Sequence, residues 1–483
     1  MSLKRNTIYN LIGSIAPMFI GMVTVPLYLH KVGDARYGVL ALVWLFLGYF
    51  GLFDPGVTRA AVFHIARLGG AGEEKERESV FWTALLINLS FGVVGGTILY
   101  FAARPVFMST FKMPQEMRLE VMASLPWLAA SVPLSVVVGV LGGAMQAREK
   151  FGLINAIGIF NSIISSLVPL AVAYWHGPDL RWLIPAVLIT RAVGALPTCI
   201  ALVRAMPLGV GGGFDPSRVK TLFAYGGWVT ITNLLNPILG TIDRMLIGSL
   251  LSAQAVAYYT VPYNLVTRAS VIPGSLADSL FPRLSRGNAE ESSQLASNAV
   301  AALAAVLTPI IITGIAVVPI FMRLWVGYSF AQHAASVGIV LLIGVWINGL
   351  AYIPYGHLQA TDRPDVVAKF HAIELVPFLG VLWVGLHYFG LIGAAWAWTL
   401  RVAVDGGLLF IYAGQIPGWR KVLPGGLLVL VSSMFAPTSI LSVKTGLEIA
   451  ILAVAILWSW NVSPMIRSAI QRQLGSERAP RPA

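Results

Sequence analysis

Nine charged side chains fall within or near the ends of the apolar stretches of this chain: Arg59, Arg191, Arg268, Arg401, Asp54, Asp243, Asp278, Glu374 and Asp405. A charge at the centre of a bilayer costs roughly 2.5–3.5 kcal/mol on insertion scales, so such residues face a watery cavity or pair with one another. Arg59 and Arg268 each stand alone deep in their apolar runs. Arginine is permanently charged and binds bidentately, which suits it to phosphate, and two such residues converging on one cavity would hold a diphosphate. The competing reading is that both serve interhelical carboxylate pairs. One turn before Arg59 stands Asp54-Pro55-Gly56. Proline removes a backbone hydrogen bond and glycine adds no constraint, so a break near mid-membrane is expected, as in transporter binding sites and hinges.

The other charges have partners in reach or positions near water. Arg401 and Asp405 are i and i+4 on one helix face, the spacing of an ion pair. Glu374 has no sequence-adjacent partner and is a candidate for proton or cation coupling. Asp243 and Arg244 are adjacent and should point apart, one lining a cavity and the other reaching the interface. Asp278 reads as a solvated interfacial residue, and His357 and His371 as interfacial imidazoles flanking one loop. Asn348, Tyr352 and Tyr355 share a face at i, i+4 and i+7, and Tyr258, Tyr259, Tyr263 and Asn264 form a second polar cluster. These tyrosines are read either as ligand contacts or as aromatic-belt residues. Pro262 and Pro273 mark a second bending element.

The elements that must carry these residues are membrane helices. Of the 483 residues, 57% are hydrophobic and 11% charged, against roughly 25% charged in soluble domains, and the mean hydropathy is +0.77. Apolar runs fall at about 8–29, 38–66, 80–102, 122–144, 152–174, 182–204, 221–250, 254–281, 294–320, 335–358, 366–388, 391–413, 423–442 and 445–463. They are too continuous for an outer-membrane barrel, so the expected fold class is an all-α polytopic membrane protein of about 14 transmembrane helices. The first run, about Ile8 to Leu29, is read as a retained helix rather than a signal peptide.

The expected organisation is an N-terminal six-helix bundle over 1–205, a Gly-rich flexible linker over 206–220 and a C-terminal six-helix bundle over 221–413. Two further helices lie within 414–464 and a basic tail over 465–483. The string Gly143-Ala144-Met145-Gln146-Ala147-Arg148-Glu149-Lys150 returns in part as Gly356-His357-Leu358-Gln359-Ala360-Thr361-Asp362-Arg363. This recurrence six runs later suggests a parallel repeat about an axis along the membrane normal. With both termini inside, twenty of the 33 lysine and arginine residues fall in inner segments and nine in outer ones. The net charge of +12 is therefore a topology signal and gives no reason to expect nucleic acid.

Enzyme and metal signatures are missing from the sequence. Cys199 is the single cysteine, and no phosphate loop, His-Glu-x-x-His or Cys-x-x-Cys occurs, so neither a metal nor a cofactor is expected. A membrane glycosyltransferase or polysaccharide polymerase would carry a sizeable external loop, and the loops here are short.

Three stretches carry a family resemblance. They are Asn6-Thr7-Ile8-Tyr9-Asn10-Leu11-Ile12-Gly13-Ser14, then Pro26-Leu27-Tyr28-Leu29 with Gly33-Asp34-Ala35-Arg36-Tyr37-Gly38, then Gly48-Tyr49-Phe50-Gly51-Leu52-Phe53-Asp54-Pro55-Gly56. Together with Thr241-Ile242-Asp243-Arg244, Ala257-Tyr258-Tyr259-Thr260 and Gln146-Ala147, the chain resembles the oligosaccharide flippases of bacterial surface polysaccharide synthesis. Their superfamily also holds the multidrug/toxin extruders and the lipid II flippases. The resemblance implies a non-enzymatic inner-membrane transporter with two six-helix bundles in alternating access. It implies as substrate an undecaprenyl-diphosphate-linked oligosaccharide moved from the cytoplasmic to the periplasmic leaflet. In the lipid II flippases cavity arginines on the second and eighth helices bind diphosphate, and Arg59 and Arg268 match them by helix and depth. The implied partners are that lipid-linked oligosaccharide, membrane lipids and, as a candidate, a polysaccharide polymerase. A cation-coupled multidrug exporter is the alternative within the superfamily; a glycosyltransferase or polymerase is the alternative outside it.

Overall fold

A backbone surrounded by lipid must satisfy its own hydrogen bonds, and helices do this within one segment. The computed structural model describes residues 3–48, 54, 56–68, 72–148, 150–206, 208–209, 211–286, 289–361, 363–414, 416–436 and 443–462. Among them the regular structure is helical, without strands. Pro55, the Asp278 side chain, Glu149 and Asp362 of the repeated string, and the tail 465–483 lie outside the described residues. Eight helices among the described residues are long and apolar enough to cross a membrane, so the protein is a multi-span membrane protein. Contacts divide it into two compact units, Met1–Ala257 and Tyr258–Ala483.

The first unit begins with α1 (Leu3–Val32) and α2 (Asp34–Gly48), joined at Gly33, whose φ of 82° no β-carbon-bearing residue adopts easily. Tyr28, Tyr37 and Trp44 pack ring on ring at this corner, with centroids 5.2–6.3 Å apart. The chain then breaks as the Asp54-Pro55-Gly56 string predicts, and a short α3 (Val57–Arg67) follows from Gly56 at φ 73°.

Next come α4 (Glu74–Pro105), drawn out by a π turn at Val106–Thr110, and α5 (Gln115–Ala147). Gly92 and Gly96 let these two approach: a β-carbon on Gly92 would stand 2.7 Å from Pro133 Cα, and one on Gly96 2.5 Å from the Ala129 carbonyl oxygen. Small residues spaced four apart are the usual device for close helix contact in lipid. The helices α6 (Phe151–His176), α7 (Leu180–Ala205) and α8 (Pro216–Leu250) complete the unit, together with the start of α9 (Ala253–Val266).

The glycine-rich segment before α8 corrects the expectation of a flexible linker. Glu78, 2% exposed on α4, accepts hydrogen bonds from the amides of Gly209 (2.5 Å) and Gly212 (2.8 Å), and from the Trp82 indole (3.1 Å). Thr83 accepts from the Asp215 amide at 3.0 Å. Gly209 and Gly211, both at φ 93°, turn the backbone so that its amides face this carboxylate, an anion-binding nest closed on the protein's own side chain. With α8 packed on α3 and α4, the division between units falls within α9 rather than at the linker.

In the second unit, α9 passes through a 3-10 turn, Thr267–Ser270, into α10 (Val271–Arg286). This 3-10 turn lies between Pro262 and Pro273, the two prolines read as marking a bending element. The long helices α11 (Ala289–Val326) and α12 (Tyr328–Ala360) precede α13 (Pro364–Tyr412), which folds back at Gly390 (φ 60°, ψ −137°) into two limbs. The last helices, α14 (Ile416–Met434) and α15 (Val443–Val462), both pack on α11. Ser432 of α14 donates to buried Glu448 of α15 at 2.9 Å, and within the helices they pack on the Trp346 indole of α12 donates to Thr308 of α11 at 3.0 Å.

Candidate functional site

In the first unit the helix break presents Arg59. The Asp54 carboxylate accepts from the Thr58 amide at 3.2 Å, and the Thr58 hydroxyl accepts from the Asn88 amide at 3.2 Å. Asp54 therefore starts α3 rather than neutralising Arg59. The α3 residues Val57, Ala60, Ala61 and Ile65 are buried against α4 and α5, which turns Arg59 outward. It is exposed and has no hydrogen bond or ion pair among the described residues.

Asp243 and Arg244 do not diverge as expected. The Arg244 guanidinium turns back on its neighbour, Nη1 lying 2.8 and 3.1 Å from the two Asp243 carboxylate oxygens, and it also donates to the Gly240 carbonyl. The residues are 0% and 1% exposed. Burial forces this closure, since neither charge can be left alone away from water. The pair is an internal tie in α8 rather than an open anion or cation site.

Where the first unit meets its loops, Arg36 makes a bidentate bond to Glu120, at 2.9 and 2.5 Å. That hydrogen bonding raises the Arg36 pKa above its ordinary value, against the opposing effect of partial burial. Glu120 also accepts from the Leu180 amide at 3.1 Å, fixing the start of α7.

In the second unit Arg268 sits on the 3-10 turn, exposed and without a hydrogen bond or ion pair among the described residues. Tyr263, a turn earlier, stacks near Tyr259 (5.8 Å between centroids) and meets Trp398 edge-on at 5.6 Å. Its ring thus serves packing between α9 and α13. Tyr352 on α12 lies beside Gly274 of α10, and Asn348 is half-buried on α12.

The remaining charges assemble across the two limbs of α13. Arg401 Nε lies 3.5 Å from Glu374 Oε2, and His371 Nε2 lies 3.9 Å from Asp405 Oδ1. The Arg401 guanidinium also sits over the Phe378 ring, 5.5 Å from its centroid. The expected i, i+4 pair of Arg401 with Asp405 is therefore replaced by the Arg401–Glu374 ion pair and the His371–Asp405 contact across the hairpin, because the second limb returns antiparallel to the first. The sequence reading passed over His371 as a participant. Its spacing of three from Glu374 was the available signal, since it puts both on one face. No group of three or more His, Cys, Asp or Glu residues placed to hold a metal occurs among the described residues.

These two units define a multi-span helical membrane protein. The fold agrees with that of the lipid II flippase MurJ in an inward closed conformation (TM-score 0.71, 13% identity, 97% of this chain and 99% of that one). It also agrees with an inward-facing multidrug resistance MATE family transporter of the MOP superfamily (TM-score 0.67, 14% identity, 86% and 98%). The chain belongs to the polysaccharide biosynthesis protein family, whose profile matches residues 3–288. It is 26% identical over 410 residues to a putative O-antigen transporter of Shigella flexneri, covering 85% of this chain and 97% of that protein. It is 22% identical over 340 residues to the teichuronic acid biosynthesis protein TuaB of Bacillus subtilis (69% and 66%). The family expected from the opening residues is borne out.

Proposed function

We propose that the protein is a flippase that turns a polyprenyl-diphosphate-linked oligosaccharide from the cytoplasmic to the periplasmic leaflet for surface polysaccharide synthesis. The observation that carries this is the match over nearly the full length of the putative O-antigen transporter. The two isolated arginines support it: Arg59 follows a broken helix and Arg268 lies on a 3-10 turn. Each offers an exposed guanidinium to a diphosphate. In this reading fourteen crossings place both termini inside, and two parallel halves rock about the substrate while the lipid tail stays in the bilayer. The inner-leaflet excess of lysine and arginine sets that orientation.

The motion needs a source of free energy. An inside-negative potential favours outward movement of an anionic substrate by about 2.3 kcal/mol per charge per 100 mV. The His371, Glu374, Arg401 and Asp405 cluster is the place where an ion would couple to that movement.

Depletion of the protein should trap a diphosphate-linked oligosaccharide on the inner leaflet. Arg59→Ala and Arg268→Ala, made singly at normal expression, should each reduce export. The reading fails if both variants export normally. A drug-susceptibility shift on depletion, without a trapped glycolipid, would favour a multidrug exporter instead.

A further inference from the structure

We infer that Arg191, with Asn161 packed on α7 at Gly194 three residues further along, forms a second oxyanion site inside the first unit, suited to an acidic sugar of the carried molecule. The helix α7 shows one stripe to lipid: Trp182, Ile189, Val193, Leu196 and Ile200 are 47–59% exposed. At about 100° per residue Arg191 falls on the opposite side of the helix. It shares that side with Val187, Gly194 and Thr198, all buried. Arg191 is thus twelfth in a 26-residue bilayer-crossing helix and points into the bundle, where α7 packs on α5 and α6.

A guanidinium at that depth calls for an anion, and no carboxylate among the described residues pairs with it. The carboxylates that the first unit buries are engaged elsewhere, Glu78 with the linker amides, Glu120 with Arg36 and Asp243 with Arg244, and half-buried Asp54 accepts from the Thr58 amide. Arg191 itself is half-buried and makes no hydrogen bond or ion pair among the described residues. An internal charge in this state is a functional-site candidate by default.

Asn161 gives the site a second polar group. It reaches from α6 onto Gly194, three residues beyond Arg191 on the same face, and a methyl group at 194 would collide with its amide. Its Oδ1 is buried and takes no hydrogen bond. A guanidinium for an oxyanion and an amide with a free acceptor for a hydroxyl are the complement of an acidic sugar, whether the acid is a carboxylate or a phosphate ester. This deepens the flippase reading and rests on it only for how the ligand arrives; Arg59 and Arg268 keep the diphosphate.

The test uses the full chain in lipid nanodiscs with sodium glucuronate, glucose 1-phosphate and inorganic pyrophosphate as probes. Phenylglyoxal footprinting by mass spectrometry should modify Arg191 in the free protein, and one of the two sugar acids should slow that modification. Slowing by glucuronate assigns a carboxylate sugar, and slowing by glucose 1-phosphate a phosphorylated one. Binding of the effective probe should weaken about ten- to a hundredfold in Arg191→Gln, the range for one charge-assisted contact, and less in Arg191→Lys. Asn161→Ala should also weaken it. An Arg191 that phenylglyoxal cannot reach, one modified equally fast with every probe, or one protected by pyrophosphate alone would overturn the assignment. Because footprinting uses the unaltered protein, a poorly folding variant does not remove the test. Failure of the flippase reading would show separately, as normal export in the Arg59 and Arg268 variants.

Discussion

Glu374 and Arg401 face each other at 3.5 Å across the α13 hairpin, each largely buried. Removing one partner of a buried ion pair typically costs about 3–5 kcal/mol, because the other charge is left uncompensated, whereas removing both costs far less. Arg401→Gln should therefore lower the thermal stability of the detergent-solubilised protein sharply. Adding Glu374→Gln should restore most of it, and a thermal-shift double-mutant cycle reads the coupling. Additive losses would show that the pair does not interact.

Gly92 lies at a close approach of α4 to α5. Gly92→Leu forces side-chain atoms into Pro133 and Val136, an overpacking that costs on the order of 1–3 kcal/mol. Fluorescence-detected gel filtration should show an aggregated or heat-labile protein, while Gly139→Ala, which meets open space, should behave as wild type.

Glu78→Ala leaves the Gly209 and Gly212 amides without their acceptor. Gly209 is exposed and Gly212 half-buried, so water takes up part of the loss and the cost falls below the ~1–3 kcal/mol of a fully buried unmet donor. Hydrogen exchange at these two amides should quicken in the variant, and limited proteolysis should find a new cleavage between α7 and α8. Unchanged exchange would mean that the carboxylate does not hold the segment.

Arg36→Lys keeps the charge opposite Glu120 but loses the bidentate geometry that a planar guanidinium provides. Stability should fall in the order wild type, Arg36→Lys, Arg36→Ala, read as midpoints of thermal unfolding in nanodiscs. Equal midpoints for the two variants would assign the whole effect to geometry and none to charge.

Much of the helical layout is legible in the sequence because hydropathy and chain breakers are local properties. The Asp54-Pro55-Gly56 break and the 3-10 turn between Pro262 and Pro273 follow from backbone chemistry within a few residues. The side-chain partnerships do not. Glu374 with Arg401, and His371 with Asp405, become visible only once Gly390 is known to reverse the chain and Gly385 to meet Gly393, which nests the two pairs around one turn. Glu78 likewise meets amides far along the chain, and no local pattern announces that. Asp243 and Arg244 misled for the opposite reason. A flexible guanidinium can fold back on the next residue, so helical spacing does not fix its direction.

The Glu78 contact also constrains the order in which the chain can fold as it is made. The glycine amides that bind this carboxylate follow it by 131 and 134 residues. At roughly 5–20 residues per second, ribosomal synthesis supplies them on the order of ten seconds after the start of α4 appears. Until then the carboxylate must remain hydrated. The first unit is therefore sealed at that end by its own late-arriving chain, with α1 to α7 already synthesised when the closing bonds form.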